Sequence, residues 1–470
     1  MSETSLGAPF AARARGALKD AYLQEALGIA TTKFIGLRRE SFEDFPQGDA
    51  LRDRARAIKE ATLQQLDRHL ERLADNIERL GGRVHWAATG DEARDIILRL
   101  CRDKGVRMAV KSKSMATEEI ELNEALEHAG VKPVETDLGE YIIQLAHEKP
   151  SHIIAPAIHK TKGQVADLFS KELGGHFEAD PEVLTKVARV ELRQKFLEAD
   201  MGITGANFAV AETGTVVLVT NEGNGRMVTS LPRIHVAVMG MEKVIPSMTD
   251  LMVFLAILAR SATGQKLSSY TTLVRGPRQP GEMEGPEEFH LILMDNGRTR
   301  QIAGTLREAL YCLRCGACLN VCPVYRQIGG HAYGHTYPGP IGILLTAMLK
   351  GAPSVKELAH ASSLCGACKD VCPVRIDIPR MLVELREHLD TEKIAPWTER
   401  LLFGMARRMM MRPSWFRGGA SVARLAQKPF ARDGRLRALP LFFGKWTATR
   451  DLPAVAEKTF SEWWQELRRP

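Results

Sequence analysis

No run of about 18 apolar residues, the length a helix needs to cross a bilayer, occurs in this 470-residue chain. The longest apolar stretches, residues 251–259 and 341–349, reach about half that length. Residues 1–16 hold scattered arginines and small residues but no apolar core of signal-peptide length. No secretory segment is therefore expected, and the protein is expected in the cytoplasm. No Gly-Lys-Ser/Thr follows a glycine-rich loop, which excludes a P-loop. No G-x-G-x-x-G opens an early strand–helix unit, which leaves dinucleotide binding without support. The basic tail shows no helix-turn-helix, which weighs against a nucleic-acid regulator.

What is present is ordinary in bulk and unusual in one respect. Apolar residues make up 44% and charged residues 26%, as in most globular proteins, and the length predicts two or three domains. Eight cysteines in a chain expected in the cytosol point to metal or redox chemistry rather than disulfides. The net charge of +7 is concentrated at the end: residues 401–470 carry 14 Lys and Arg against 5 Asp and Glu. Trp415, Trp446, Trp463 and Trp464 lie in the same tail. Such a segment suits an acidic partner, nucleic acid or the inner membrane surface. Around residues 405–416 it reads either as an amphipathic docking helix or as a packed cap with a solvated basic face.

Apolar spacing divides the chain. Residues 1–50 read as a helical leader with a loop at 42–48, and residues 51–80 as helix ended by Gly81-Gly82. Short apolar runs then alternate with helical segments. Strands are expected at 83–88, 106–110, 131–136 and 152–157, and helices at 91–104 and 117–129. That alternation predicts a parallel sheet with helices on its faces. Strands at 208–211, 215–220 and 234–239 follow, then a helix at 242–258 and a late strand at 289–294. Residues 51–303 thus form an α/β domain with antiparallel additions. Residues 304–390 read as a helical ferredoxin-like domain, with a helix at 341–350, and 391–470 as the basic C-terminal region.

The strongest signal is Cys312-x2-Cys315-x2-Cys318-x3-Cys322-Pro323. A cubane [4Fe–4S] cluster needs a thiolate on each iron, and two-residue gaps let one tight loop reach three corners. The fourth cysteine turns away with the following helix and ligates the other cluster in two-cluster ferredoxins. Cys365-x2-Cys368-x3-Cys372-Pro373 repeats the last three positions, and the expected first cysteine is Ser362. Exchange then assigns Cys312, Cys315, Cys318 and Cys372 to one cluster and Cys322, Cys365 and Cys368 to a second. The second lacks a thiolate at one corner. That corner is either empty, giving [3Fe–4S], or closed by Ser362, Ser363, water or a partner's group. Zinc is the alternative metal, but it prefers four ligands as paired C-x2-C knuckles, which seven cysteines in two CP-ended motifs fit poorly. Cys101, alone in a helical segment, reads as a packed thiol. Two clusters built from interleaved motifs act as a wire for single electrons.

Beyond the cysteines, the blocks Gly329-Gly-His-Ala-Tyr-Gly334, Tyr337-Pro-Gly-Pro-Ile-Gly342, Ala361-Ser-Ser-Leu-Cys-Gly-Ala-Cys368, Glu135-Thr-Asp-Leu-Gly-Glu140 and Ala211-Glu-Thr-Gly-Thr215 resemble the lactate utilization protein B family over nearly the whole chain. The resemblance implies an iron–sulfur subunit that acts with two sister proteins to oxidise L-lactate to pyruvate and passes electrons to a further acceptor. It also implies an α/β domain of the LUD type, similar to CoA transferases and sugar-phosphate isomerases, and a three-cysteine second motif. A rival reading makes the α/β domain itself an enzyme on a small 2-hydroxy or acyl acid, with the clusters as electron sink.

Four further residues are candidates for anion binding. Lys111 and Lys113 follow an expected strand, at the edge where α/β folds take ligands. Glu212 lies in a turn where a CoA-transferase-like fold can carry a nucleophile, or is a solvated turn residue. Arg226 ends a Gly-rich loop whose N–H groups can cradle an anion, or belongs to a plain hairpin. His331, His335 and Tyr337 read as neighbours that tune the clusters or as loop residues.

Overall fold

In the computed structural model, residues 9–392, 394, 397–440, 444–447 and 450–468 are described. They fall into two compact units, Met1–Leu389 and Asp390–Pro470. Met1–Ala8 and the side chain of Trp446 lie outside the described residues. Among the described residues no helix is long and apolar enough to cross a membrane.

The first unit is built on a six-stranded, wholly parallel sheet. Its strands are β1 (Arg83–Ala87), β2 (Met108–Lys111), β3 (Lys132–Glu135), β4 (Met201–Gly205), β7 (Ile234–Gly240) and β10 (Glu288–Met294), in the order β1-β10-β7-β4-β2-β3. All seven residues of β7 are buried, as expected for the middle of a sheet covered on both faces. Alternation sorts the sides: Ala109, Ile203 and Val236 pack with Ile97 and Leu126, whereas Val110 and Val134 pack with Tyr141, Phe169 and Leu192. A second sheet, order β8-β5-β6-β9, joins β5 (Phe208–Val210), β6 (Thr215–Thr220), β8 (Val244–Ile245) and β9 (Tyr270–Val274), mostly antiparallel.

Three expectations need correction. The strand expected at 152–157 is absent: residues 149–157 form an irregular strap held to the cysteine-bearing region. Tyr325 Oη donates to Ser151 O (2.7 Å), the Gly330 N–H to Ser151 Oγ (3.2 Å), and His152 Nε2 meets Asn320 Oδ1 (3.2 Å). A Cβ on Gly330 would lie 1.8 Å from Ser151 O, so only glycine admits the strap. The helix expected at 242–258 starts later, at Met248–Thr263, capped by Ser247. Pro246 lacks the N–H a helix interior needs, so Glu242 and Lys243 stay at the end of β7 in a 3₁₀ turn. The helix expected at 117–129 is two, Met115–Glu119 and Leu122–His128, split where Glu121 adopts φ 50°.

The strand β4 was not foreseen. It is short and holds two glycines, both unfavourable strand signals. A Cβ on Gly202 would sit 2.0 Å from Val228 O, where the helix Asn224–Ser230 crosses the sheet.

The leader and following helices, Phe10–Ala17, Ala21–Glu43 and Gly48–Gln64, lie against the cysteine region. Arg13 Nε donates to Ala332 O (2.9 Å), Arg38 Nη2 to Val371 O (3.1 Å), and Arg52 Nη2 to Cys372 O (2.9 Å). The second unit holds helices Trp397–Met410, Pro413–Gln427 and Phe460–Leu467 with a small three-stranded sheet. Trp415, Trp463 and Trp464 are exposed there.

Buried histidines make the first unit acid-sensitive. Burial, with Lys113 nearby, holds His152 down to about 3, and burial with His290 does the same to His235. The folded state refuses a proton that the unfolded chain takes below about pH 6.5. Stability is therefore lost as pH falls from about 6.5 toward 3, with each histidine costing about 1 kcal/mol per pH unit. Denaturant midpoints at pH 7.5 and 5.5 should differ accordingly, and His235→Asn should flatten the profile.

Candidate iron–sulfur site and the cavity beside it

The two cysteine motifs share one backbone design. Each has a residue in the left-handed region before its Cys-Gly step (Arg314 φ 62°, Leu364 φ 54°) and a glycine there after it (Gly316 φ 75°, Gly366 φ 85°). A one-turn helix follows, Ala317–Asn320 or Ala367–Asp370. The alternation curls the chain so that successive cysteines face inward and N–H groups turn toward sulfur. The Arg314 N–H donates to Cys312 Sγ (3.3 Å), Tyr325 N–H to Cys322 Sγ (3.5 Å) and Ile376 N–H to Cys372 Sγ (3.4 Å). The last two follow Cys-Pro steps, where proline donates nothing and fixes the turn.

Cys312, Cys315 and Cys318 line a single apolar cavity together with Cys372 from the other motif. Mutual repulsion of the thiolates divides the seven in the same way. Cys315 feels Cys312 and Cys372; Cys322 feels Cys365, and Cys368 feels both Cys322 and Cys365. The sets adjoin where Cys318 meets Cys368. Burial pushes Cys315 and Cys368 up to about 12 and Cys372 to about 11. Thiols so placed do not ionise alone; a bound cation reverses that. One buried hydroxyl also fits a cluster: that of Tyr333, wholly buried, is aimed at the Cys322 thiol and favours its ionised form. A cluster sulfur is an acceptor for it. The residues present thus suit two iron–sulfur clusters, with Cys365 the exposed member of the seven.

Cys101 is separate, buried beside Met201 with its thiol pushed up to about 11 by burial. His331 is bound to Lys149 O (2.6 Å) and packs on His159. Glu148, His159 and His331 bring ligand atoms within 4.8 Å of one another, but Lys160 holds the other oxygen of Glu148 (2.8 Å).

A larger cavity, about 550 Å³, opens at the carboxyl ends of β2, β4 and β7, the edge where such sheets bind ligands. Lys113 lines it, and Glu140 holds that ammonium. Lys111, Glu212 and Arg226 do not line it. Lys111 is buried with Glu135 (2.6 Å), Glu212 accepts the Met248 N–H (3.1 Å), and Arg226 is exposed. Five residues that matter here escaped notice in the sequence, Glu222, Glu242, Lys243, Arg298 and Arg314, while Tyr337 was read only as a neighbour of the clusters or a loop residue. Only Arg314, set inside Cys-x2-Cys, was open to suspicion.

Glu242 is the hub. Its carboxylate meets Arg298 Nε (2.6 Å) and Arg314 Nη2 (3.3 Å), while Lys59 Nζ donates to its carbonyl. Burial alone would raise its pKa, but Arg298, Arg314, Lys243 and Lys59 hold it down to about 2. Burial and like charges lower Lys59 to about 7 and Lys243 to about 8. Across the cavity, burial and Asp137 raise Glu222 to about 7. Cys315 lines both this cavity and the four-cysteine one, so the two share a wall.

Comparison with known proteins agrees with both halves of the site. The LUD domain family matches residues 70–294 and the 4Fe-4S dicluster domain residues 308–376. A lactate utilization protein B of Bacillus licheniformis is 45% identical over 98% of this chain and 97% of its own length. Those of Shouchella clausii (44%, covering 98% of each chain) and Bacillus subtilis (43%, covering 97% and 96%) are similar. This is an iron–sulfur, electron-carrying chain with a role in lactate utilization, and it belongs to the lactate utilization protein B family.

Proposed function

We propose that this chain is the iron–sulfur electron-transfer component of a complex that oxidises L-lactate to pyruvate with two sister proteins. The observation that carries the reading is the cavity that Cys312, Cys315 and Cys318 share with Cys372. Bound clusters would supply reversible one-electron storage. The chain's own residues hold them, aim N–H groups at sulfur, and exclude water on the side of the first. At the second, Cys365 and Leu364 are exposed, which suits exchange with a partner. The six-stranded parallel sheet is in keeping with a CoA-transferase-like or isomerase-like α/β domain. Anaerobic reconstitution should give about seven to eight irons with matching sulfide, and L-lactate with the sister proteins should reduce them. Zinc without sulfide, or clusters that stay oxidised under those conditions, overturns the reading.

Ser362 is the proposed fourth ligand of the second cluster. Its Oγ accepts the Leu364 N–H (3.2 Å) just as Cys312 Sγ accepts that of Arg314. The hydroxyl thus takes the first-cysteine place in the repeat, while Ser363 is exposed. Ser362→Ala should lose about one iron per chain and gain the oxidised [3Fe–4S] EPR signal. Ser362→Cys should retain the iron without that signal. An iron count and spectrum unchanged in Ser362→Ala would exclude the serine.

A further inference from the structure

The cavity at the carboxyl ends of the sheet is lined by a guanidinium with one nitrogen unsatisfied. The Arg314 side chain is 8% exposed, and its Nη1 is buried without a hydrogen-bond partner among the described residues. The guanidinium lies over the Tyr337 ring (4.9 Å) and reaches Glu242 with Nη2. Both neighbours line the large cavity and neither lines the four-cysteine one. Cys312 is its strongest opposite-charge partner, so the side chain stands between the cavity and the cluster loop to which its backbone belongs. Lys243 adds a second cation: its ammonium bonds Cys312 O (3.2 Å) and has two further N–H groups to offer.

The other cations on these walls are occupied. Arg298 is spent on Glu119, Glu242 and Asp295 O, and Lys113 on Glu140. A buried guanidinium nitrogen left unpaired is costly, and an anion seated there would satisfy it. Asp137, Glu222 and Glu242 on the same walls oppose a doubly charged phosphate and admit a single carboxylate. Leu138, Ile142, Ile153 and Leu258 offer an apolar surface to the rest of such a molecule. The volume exceeds what a three-carbon acid fills, so a longer acid also fits.

We propose that this cavity binds a small organic carboxylate, with Arg314 and Lys243 as its anchors, and that its occupancy is sensed by the first cluster through their shared wall. The inference rests on the electron-transfer reading and adds to it a ligand site inside this chain. Its consequence has a definite sign. A negative charge beside the four-cysteine site makes an added electron less favourable, so binding lowers the first cluster's reduction potential. By reciprocity the carboxylate binds the oxidised protein more tightly than the reduced one. A tenfold difference in affinity corresponds to about 59 mV for one electron.

The experiment uses the reconstituted full-length chain. L-lactate, pyruvate, 4-methyl-2-oxopentanoate and inorganic phosphate are each titrated calorimetrically into the oxidised form. The midpoints of both clusters are followed by EPR potentiometry with and without each. At least one carboxylate should bind saturably and move the first cluster's midpoint downward while leaving the second in place, with phosphate inert. Arg314→Gln should weaken binding at least tenfold. Ala262→Phe, which fills the cavity from the helix Met248–Thr263 and leaves the cysteine loops untouched, should do the same with both clusters intact. No binding by any carboxylate, equal binding by phosphate, or a shift that survives both variants overturns the proposal while the clusters themselves remain. Failure to form clusters at all would instead strike the electron-transfer reading beneath it.

Discussion

Cys372→Ala, a change in the second cysteine motif, is expected to abolish the cluster built on the first. Iron should fall from about eight to about four per chain, and the surviving EPR signal should be that of the cluster held by Cys322, Cys365 and Cys368. Cys322→Ala, a change in the first motif, should do the reverse. The reason is spatial: Cys372 shares its cavity with Cys312, Cys315 and Cys318, and Cys322 interacts electrostatically with Cys365 rather than with its own motif. If each motif instead served its own cluster, Cys372→Ala would spare the first, which the spectra would show at once. The loss should also destabilise the fold, because a metal bound only by the folded chain contributes its binding energy to folding. Arg52 would feel it first, since its guanidinium donates to Cys372 O, and the helix Gly48–Gln64 is fastened there.

Spacing made the cysteines legible because cluster ligation constrains short-range geometry. Two-residue gaps and a following proline are local requirements, and no distant contact can counterfeit them. The same holds for β6 and β7, whose Val- and Ile-rich sequences suit a buried strand. The strap at 149–157 shows the opposite case. Residues 152–157 are apolar enough for a strand, yet the strap is held by Tyr325 and Gly330 at Ser151 and by Asn320 at His152, all more than 160 positions away. Periodicity cannot report such contacts. The hub was hidden likewise: Glu242 and Lys243 sit before an apolar helical pattern, and Pro246 and Ser247 were the cue that they stand outside it. Of the four anion-site candidates, Lys113, two residues past the end of β2, reaches the cavity, whereas Lys111, the last residue of that strand, is held by Glu135 away from it, a long-range pairing that spacing does not report.

Glu242→Gln should be among the most destabilising single changes in the first unit, by about 3–5 kcal/mol, the usual cost of removing one partner from a buried charge group. Arg298 would keep Glu119 (2.8 Å), but Arg314 would lose its carboxylate, and Lys59 and Lys243 are buried close by. Two features separate this from generic damage. First, the carboxylate's folded pKa is about 2, below the unfolded value near 4.3. Its contribution is therefore complete above about pH 5 and lost as pH falls toward 2. Unfolding midpoints of the parent and the variant should converge over that range, while the histidine effect, common to both, cancels from their difference. Second, cysteine thiolates around a bound cluster bring negative charge to the other side of Lys243 and Arg314. The penalty should then be larger in the cluster-free protein than in the loaded one, measured by denaturant unfolding of each form under argon. Equal penalties in both forms would mean that Glu242 neutralises its cations independently of the cysteine site, and the electrostatic link between cavity and cluster would have to be abandoned.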